Sequence, residues 1–333
     1  MDAHADGLTP QPIMDLATAF QRSRVLLTAW ELGLFTALAE EPRTAGEVAA
    51  SIGTDTRATD RLMNALCGLG LLEKRDGRFT NSAVAARFLV KGRPDYAAGL
   101  GHTNNLWTTW SALTETVRSG APPPRPSVGE RGDEWLRPFI AAMHWRARWS
   151  APAVVGELDL TGVSRVLDVG GGSGAFAMAF VKAGAGISAV VFDLPAVVPL
   201  ARGHIQTEGF MARIDTVAGD YLTDELPGGF DLVFLSAVVH SNSAAENERL
   251  IRKAAGAASR GGRVVVQDWL MSEDRTSPPA GALFALNMLV GTEAGDTYTE
   301  AEVRGWMEQA GLGPLESRHL RGGGGGLLIG WKP

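Results

Sequence analysis

The chain has 333 residues, 45% hydrophobic and 20% charged, the balance of a globular protein of one to three domains. A formal net charge of −6 argues against nucleic-acid binding as the main role, which needs a basic face to displace counterions. The single Cys67 excludes an internal disulfide, and the longest apolar run, 282–290, falls far short of the roughly 20 residues of a membrane helix, so no membrane partner is expected and the expected location is cytoplasmic.

Residues 1–9 read as a loose tail. From 12 to 38, apolar residues recur at helical spacing (Ile13, Leu16, Ala17, Phe20, then Val25, Leu26, Trp30, Leu34, Leu38), in two pieces parted by Gly33. Thr44 and Glu47 form a capping box that opens a short helix over 47–51. Gly53 turns the chain into a helix at 56–69 with Leu62, Met63, Leu66 and Cys67 inward. Residues 71–80 read as a small hairpin turning at Asp76-Gly77. Helix, helix, hairpin is a winged-helix pattern. Its charge does not suit DNA: residues 1–100 hold 11 Lys/Arg against 12 Asp/Glu. The helix that would enter a groove offers only Arg57 and Arg61, beside Asp55 and Asp60. A dimerisation or packing module is the expectation.

A helix with an aromatic face (Trp107, Trp110, Leu113) is expected over 106–117. Pro122, Pro123, Pro124 and Pro126 make 120–132 a linker that cannot be helical. A long helix follows at 135–158, with a stripe of Phe139, Met143, Trp145 and Trp149 that by itself suits a core. From Ser164 onwards, short apolar runs alternate with helical segments. Strands are read at 166–169, 187–193, 214–220, 230–238 and 262–268, with helices at 175–183, 196–207 and 244–258. Thr299 and Glu302 cap a helix running to Ala310. Strands at 315–320 and 327–331 close the chain around five glycines at 322–326, read as the loop of a final hairpin. The alternation gives an α/β fold: a Rossmann-like, doubly wound, mostly parallel seven-stranded sheet, with ligands at its carboxyl edge. Three segments are expected: a winged-helix-like domain at 1–100, a helical region at 101–158 and the sheet domain at 159–333.

Three strands bring ligand-capable groups to that edge. Asp168 is followed by Gly170, Gly172 and Gly174 and then by a helix. A strand ending in glycines at a helix N-terminus lets a ligand approach the backbone and meet its amides. Asp193 stands where a carboxylate accepts both hydroxyls of a ribose. That much fits NAD or S-adenosylmethionine. The dinucleotide turn is G-x-G-x-x-G, and here Gly174 comes one residue early. Asp220 and Tyr221 stand where an adenine is hydrogen-bonded and stacked. A cofactor without phosphate but with an amino-acid head needs acceptors as well as amides, and Asp168 is one.

These residues sit in Leu167-Asp-Val-Gly-Gly-Gly-Ser-Gly174, Val191-Phe-Asp-Leu-Pro195, Ala218-Gly-Asp220 and Gly261-Gly-Arg-Val-Val-Val-Gln-Asp268. The chain thereby resembles, over nearly its whole length, the metal-independent class I S-adenosylmethionine-dependent O-methyltransferases of the caffeate/hydroxyneurosporene type, which carry an N-terminal winged-helix dimerisation domain. The resemblance implies that the glycine loop holds the methionine moiety, Asp193 with Leu194 the ribose, and Gly219, Asp220 and Tyr221 the adenine. S-adenosylhomocysteine would be the product, no metal would take part, and the protein would be a homodimer whose N-terminal regions help close the partner's substrate site.

Chemistry needs a base if the methyl acceptor is a phenol, whose pKa is about 10. His240 is read at the end of the fourth strand and Asp268 at the end of the fifth, where a carboxylate would hold the imidazole in one tautomer. By resemblance, His240 is the general base and Asp268 its orienting acid. The chain departs from the family around them. The Asp-Trp after the histidine is Ser241-Asn242, the second orienting glutamate falls near Thr297 with Asp296 one residue away, and a cofactor-side lysine is Ser236. By resemblance too, Phe139, Met143 and Met288 sandwich a planar aromatic acceptor, with His102, Trp107 and Asn287 as further contacts. Methyl transfer to carbon or nitrogen, a cofactor-dependent reaction without methyl transfer, and a ligand-sensing winged-helix transcription factor remain as alternatives.

Overall fold

Capping and turn chemistry lay out the first of two units, residues 1–104. The structure is a computed structural model that describes residues 9–124, 126, 131–320 and 325–333. The expected tail at 1–8, part of the linker at 120–132 and most of the glycine loop at 322–326 lie outside the described residues. The first unit runs through α1 (Gln11–Thr18), α2 (Phe20–Glu31), α3 (Leu34–Ala37), α4 (Ala45–Ile52), α5 (Thr56–Gly68), the hairpin β1 (Leu72–Arg75) and β2 (Arg78–Asn81), and α6 (Ala83–Phe88). Gly33, at φ +70°, parts α2 from α3. The Thr44–Glu47 capping box closes at both hydrogen bonds, the Thr44 amide donating to the Glu47 carboxylate at 2.7 Å. Asp76 (φ 49°) and Gly77 (φ 75°) are both left-handed, as a two-residue type I′ turn requires. Leu27, Leu34, Phe35, Val48, Met63, Leu66 and Phe79 fill the core of this unit. The cations of the wing are paired: Lys74 with Asp60 at 3.7 Å, Arg75 with Glu73 at 3.2 Å and Arg78 with Glu47 at 3.1 Å. Charge neutralised in this way is not available to phosphates.

Between the units runs α7 (Leu100–Ser111), and the boundary falls within it, after Asn104. The single helix expected at 106–117 is two, because the chain breaks at Ala112 before α8 (Leu113–Ser119). The long helix α9 (Asp133–Gly156) follows, so most of the segment expected as a separate helical region belongs with the second unit.

The second unit continues with β3 (Arg165–Val169), α10 (Ala175–Ala183), β4 (Ser188–Asp193), α11 (Val198–Thr207), β5 (Ile214–Ala218), β6 (Phe230–Ser236), α12 (Ala244–Ala257), β7 (Ala258–Asp268), α13 (Pro279–Gly291), α14 (Glu300–Gln309), β8 (Leu315–His319) and β9 (Gly326–Trp331). The seven strands form one sheet in the order β5-β4-β3-β6-β7-β9-β8. The first five are mutually parallel, and β9 is antiparallel to both β7 and β8. From β3 the chain winds outward to β5, then returns to the other side of β3 as β6. The crevice at the carboxyl ends of β3 and β6 is therefore the topological switch point, where such sheets bind ligands.

Both faces of the sheet are covered, which is why its strands are continuous apolar runs. Val166 and Phe234 of the sheet pack with Phe180 of α10, Ile205 of α11 and Val154 of α9 on one face. Leu167, Val233, Leu250, Ile251, Val303 and Trp306 pack on the opposite face. Each fully buried side chain of this size contributes about 1.5–3 kcal/mol. The result is a rigid platform with its open edge at the switch point. Among the described residues, no helix is long and apolar enough to cross a membrane.

Candidate active site

The turn after β3 is built for close approach. Gly170, Gly172 and Gly174 have φ of +64°, +58° and +76°, a region that L side chains enter only with strain. At Gly170 a Cβ would also stand 2.8 Å from Val238 Cγ2, and at Gly171 one would stand 2.7 Å from the Asp168 carboxylate. Gly170→Ala is thus expected to lower stability by about 1–2 kcal/mol and to weaken cofactor binding about tenfold or more. A thermal melt and a calorimetric titration with S-adenosylhomocysteine would check both, and unchanged affinity would remove the turn from the site.

Asp168 lies at the root of this turn and is 1% exposed. Its Oδ2 accepts from the Ala177 amide at 3.1 Å. Its Oδ1 is buried with no hydrogen-bond partner among the described residues. Burial, with a further push from the nearby charge of Asp193, raises its pKa to about 7. Asp193, at the end of β4, accepts from the amides of Gly172 and Leu194, both at 2.7 Å. Burial outweighs those bonds and raises its pKa to about 6. Two carboxyl groups thus flank the glycine turn in a medium that resists their charge.

On the far side of β4, a Cβ at Gly219 would stand 2.4 Å from the Phe192 ring. Asp220 folds its Oδ1 back onto the Leu222 amide at 2.9 Å. Tyr221 turns inward: its ring faces Gly170, its hydroxyl donates to Asn242 Oδ1 at 3.3 Å, and burial raises its pKa. Strand β5 ends at Ala218, two residues before Asp220, so Asp220 sits in the loop rather than on the strand.

His240 departs from its expected place at a strand end. Strand β6 stops at Ser236, Ala237 is left-handed at φ 56°, and His240 rides on a short 3₁₀ turn, Val239–Ser241. Asp268 does end β7. The two meet closely: His240 Nδ1 is 2.9 Å from each oxygen of Asp268. The His240 and Trp269 amides also donate to that carboxylate, at 3.3 and 2.8 Å. Phe284 sets its ring edge-on to the imidazole, with centroids 4.8 Å apart at 87°. A carboxylate at Nδ1 makes that nitrogen the N–H and leaves the lone pair on Nε2. Asp296, one residue from the position of the family's second acid, pairs with Arg275 at 3.1 Å; Arg275 also grips Glu302. Thr297 is buried and donates to the Gly281 carbonyl at 3.4 Å. The Ser236 hydroxyl is bonded to Gln267 Oε1 at 2.5 Å.

Candidate acceptor contacts fall on different helices. Phe139, on α9, stacks on Trp135 at 4.9 Å and packs beside Leu194 and Val197; Met143 stands half-buried one turn further on. Met288 is buried on α13, and its neighbour Asn287 accepts the Trp110 indole N–H at 2.9 Å. Trp107 is half-buried on α7 in the second unit, whereas His102 belongs to the first. Sequence reasoning missed His144, whose Nδ1 lies 3.0 Å from the Ser173 hydroxyl within the glycine turn. His144 stacks on His204 at 4.0 Å, and burial with that neighbour pushes its pKa down to about 4. The two partners are 29 and 60 positions away in sequence, so no local pattern announces the contact.

Comparison with known proteins identifies the family. Residues 125–313 match the O-methyltransferase domain family, and residues 14–91 match the O-methyltransferase dimerisation domain. The chain is 37% identical to the 3-hydroxy-5-methyl-1-naphthoate 3-O-methyltransferase of Streptomyces sahachiroi, over 97% of this chain and 95% of that one. It is 32% identical to the tetracenomycin polyketide synthesis 8-O-methyl transferase TcmO of Streptomyces glaucescens, over the whole of both. Among solved structures, human N-acetylserotonin methyltransferase in complex with SAM superposes with a TM-score of 0.88 at 27% identity, covering 100% of this chain and 99% of that one. With its glycine turn at the switch point and its matched dimerisation domain, the chain belongs to the O-methyltransferase family.

Proposed function

We propose that the protein transfers a methyl group from S-adenosylmethionine to a hydroxyl of a small aromatic acceptor, with His240 as general base, and that it works as a homodimer through its N-terminal domain in the cytoplasm. The observation that carries the reading is the His240–Asp268 pair beside the glycine turn at the switch point. The residues present fit the cofactor. The unpartnered Oδ1 of Asp168 offers an acceptor for an ammonium group, and the cradle at Gly170 and Gly171 admits no side chain. Asp193 is the candidate for the ribose, with Leu194 beside it; Gly219, Asp220 and Tyr221 are the candidates for the adenine. When bound, S-adenosylmethionine supplies an electrophilic methyl group on a positively charged sulfur. His240 Nε2 takes the proton of the acceptor hydroxyl as its oxygen gains the methyl group. Asp268 holds the ring and stabilises the imidazolium until the proton passes to solvent. Phe284 packs against the imidazole, and Phe139, Met143, Asn287 and Met288 supply the aromatic, thioether and amide surface for a flat ring.

The test is direct. Purified protein is incubated with S-adenosylmethionine and a panel of polycyclic and monocyclic phenols, and products are read by mass spectrometry. One added methyl group on oxygen is expected for at least one phenol. A methyl group found on nitrogen or carbon would move the reading to that chemistry. No heat and no thermal stabilisation with either S-adenosylmethionine or S-adenosylhomocysteine would sink it.

A further inference from the structure

The turn that carries His240 belongs to no strand or long helix, so something else must hold it. Asn242, 3% exposed, reaches around it. Its Nδ2 donates to the Val238 carbonyl at 3.4 Å and to Asn247 Oδ1 at 3.1 Å. Its own carbonyl accepts the Tyr298 hydroxyl at 2.6 Å. Asn247, fully buried, donates in turn to the Val239 carbonyl at 2.8 Å. Main-chain groups on both sides of His240 are thereby fixed by side chains from α12 and from the approach to α14. The remaining polar atom of Asn242, Oδ1, accepts from the Tyr221 hydroxyl. Tyr221 is a cofactor-side residue, facing Gly170 of the glycine turn.

We propose that Asn242 is a positioning residue for His240, and that the Tyr221 hydroxyl ties its clamp to the cofactor pocket, so that base and methyl donor are held in one register. Every polar atom of the Asn242 side chain has a partner, and such fully satisfied networks fix one geometry where partly satisfied ones do not. The network leaves His240 Nε2 untouched and acts only through the main chain. The inference rests on the reading of His240 as the base.

Tyr221→Phe keeps the ring and removes only the hydroxyl. It is expected to lower kcat about fivefold, the effect of one hydrogen bond, with the KM of the acceptor unchanged. Asn242→Asp keeps an oxygen for Tyr221 and loses both Nδ2 donations, and is expected to cost about tenfold or more. A positioning role disappears once the base is gone, so neither change should lower the residual rate of His240→Ala any further. A merely structural role would lower stability and reduce the rate equally in both backgrounds. Folded Tyr221→Phe with unchanged kcat, or equal losses with and without His240, would overturn the proposal. If His240→Ala alone leaves kcat intact, the base assignment has failed and the inference falls with it.

Discussion

Replacing His240 with alanine is expected to lower kcat by about 10²–10⁴-fold, the usual range for a positioned general base, and to leave cofactor affinity as it was. The separation follows from geometry. His240 contacts Asp268 and Phe284, whereas the glycine turn, Asp168 and Asp193 are built on β3 and β4. The loss is largest for phenols of high pKa, which gain most from proton removal, and shrinks for acidic phenols already ionised at neutral pH. Asp268→Asn tests the orienting role separately. An asparagine side chain can present an N–H to Nδ1, which favours the tautomer with the proton on Nε2, the nitrogen meant to accept one. It also removes the partner of the imidazolium. A loss of about tenfold or more in kcat with unchanged KM is expected, since the interaction is made chiefly in the transition state. Steady-state rates with a graded series of phenols would decide. A His240→Ala enzyme that retains full turnover on an un-ionised phenol would show that placement of the reactants suffices without a base.

The parts of this site that were readable in the sequence are those encoded by neighbouring residues. The apolar runs of β4 and β7 end in Asp193 and Asp268, and that of β3 carries Asp168 one residue before its end; a buried parallel strand with an acid at its carboxyl end states its own polarity and its own edge. The capping boxes at Thr44 and Thr299 likewise close within three residues. What could not be read depends on distant partners or on local backbone geometry. The apolar run extends the expected fourth strand to Val238, but the left-handed Ala237 ends it earlier and turns His240 onto a 3₁₀ segment. Asn242 reads as an ordinary loop residue, because Tyr221 and Tyr298 lie 21 and 56 positions away. Asp296 lies one position from the expected second acid, and its pairing with Arg275, 21 positions away, has no local signal in the sequence. Nothing in the sequence marks the break at Ala112, which is neither glycine nor proline.

Cofactor affinity is expected to climb as pH rises towards about 7 and to fall again above about 8, where an α-amino group loses its proton. The rising limb comes from Asp168 and Asp193. Burial raises their pKa values to about 7 and about 6, so between the ordinary carboxylate range and these values the empty protein carries protons that the unfolded chain does not. The sign for stability follows: through these two groups the empty fold loses stability as pH rises from about 4 to about 7, and the full cost of two buried charges is present above that. A cationic ligand reverses the preference, because an ammonium group beside Asp168 favours the ionised form. Binding near pH 6 therefore expels protons, and affinity changes by up to about tenfold per pH unit for each proton released. Calorimetry at that pH in buffers of different ionisation enthalpy would count them, with about one or more expected. Asp168→Asn keeps an oxygen for the Ala177 amide and removes the charge. It is expected to weaken binding by about 10–100-fold, as losing a buried charge-assisted contact does, and to flatten the rising limb to what Asp193 alone supplies. If the wild-type protein binds with the same affinity at every pH below 7 and releases no proton, the carboxyl groups are not charged partners of the ligand. The cradle at Gly170–Gly174 would then have to act through its backbone amides alone.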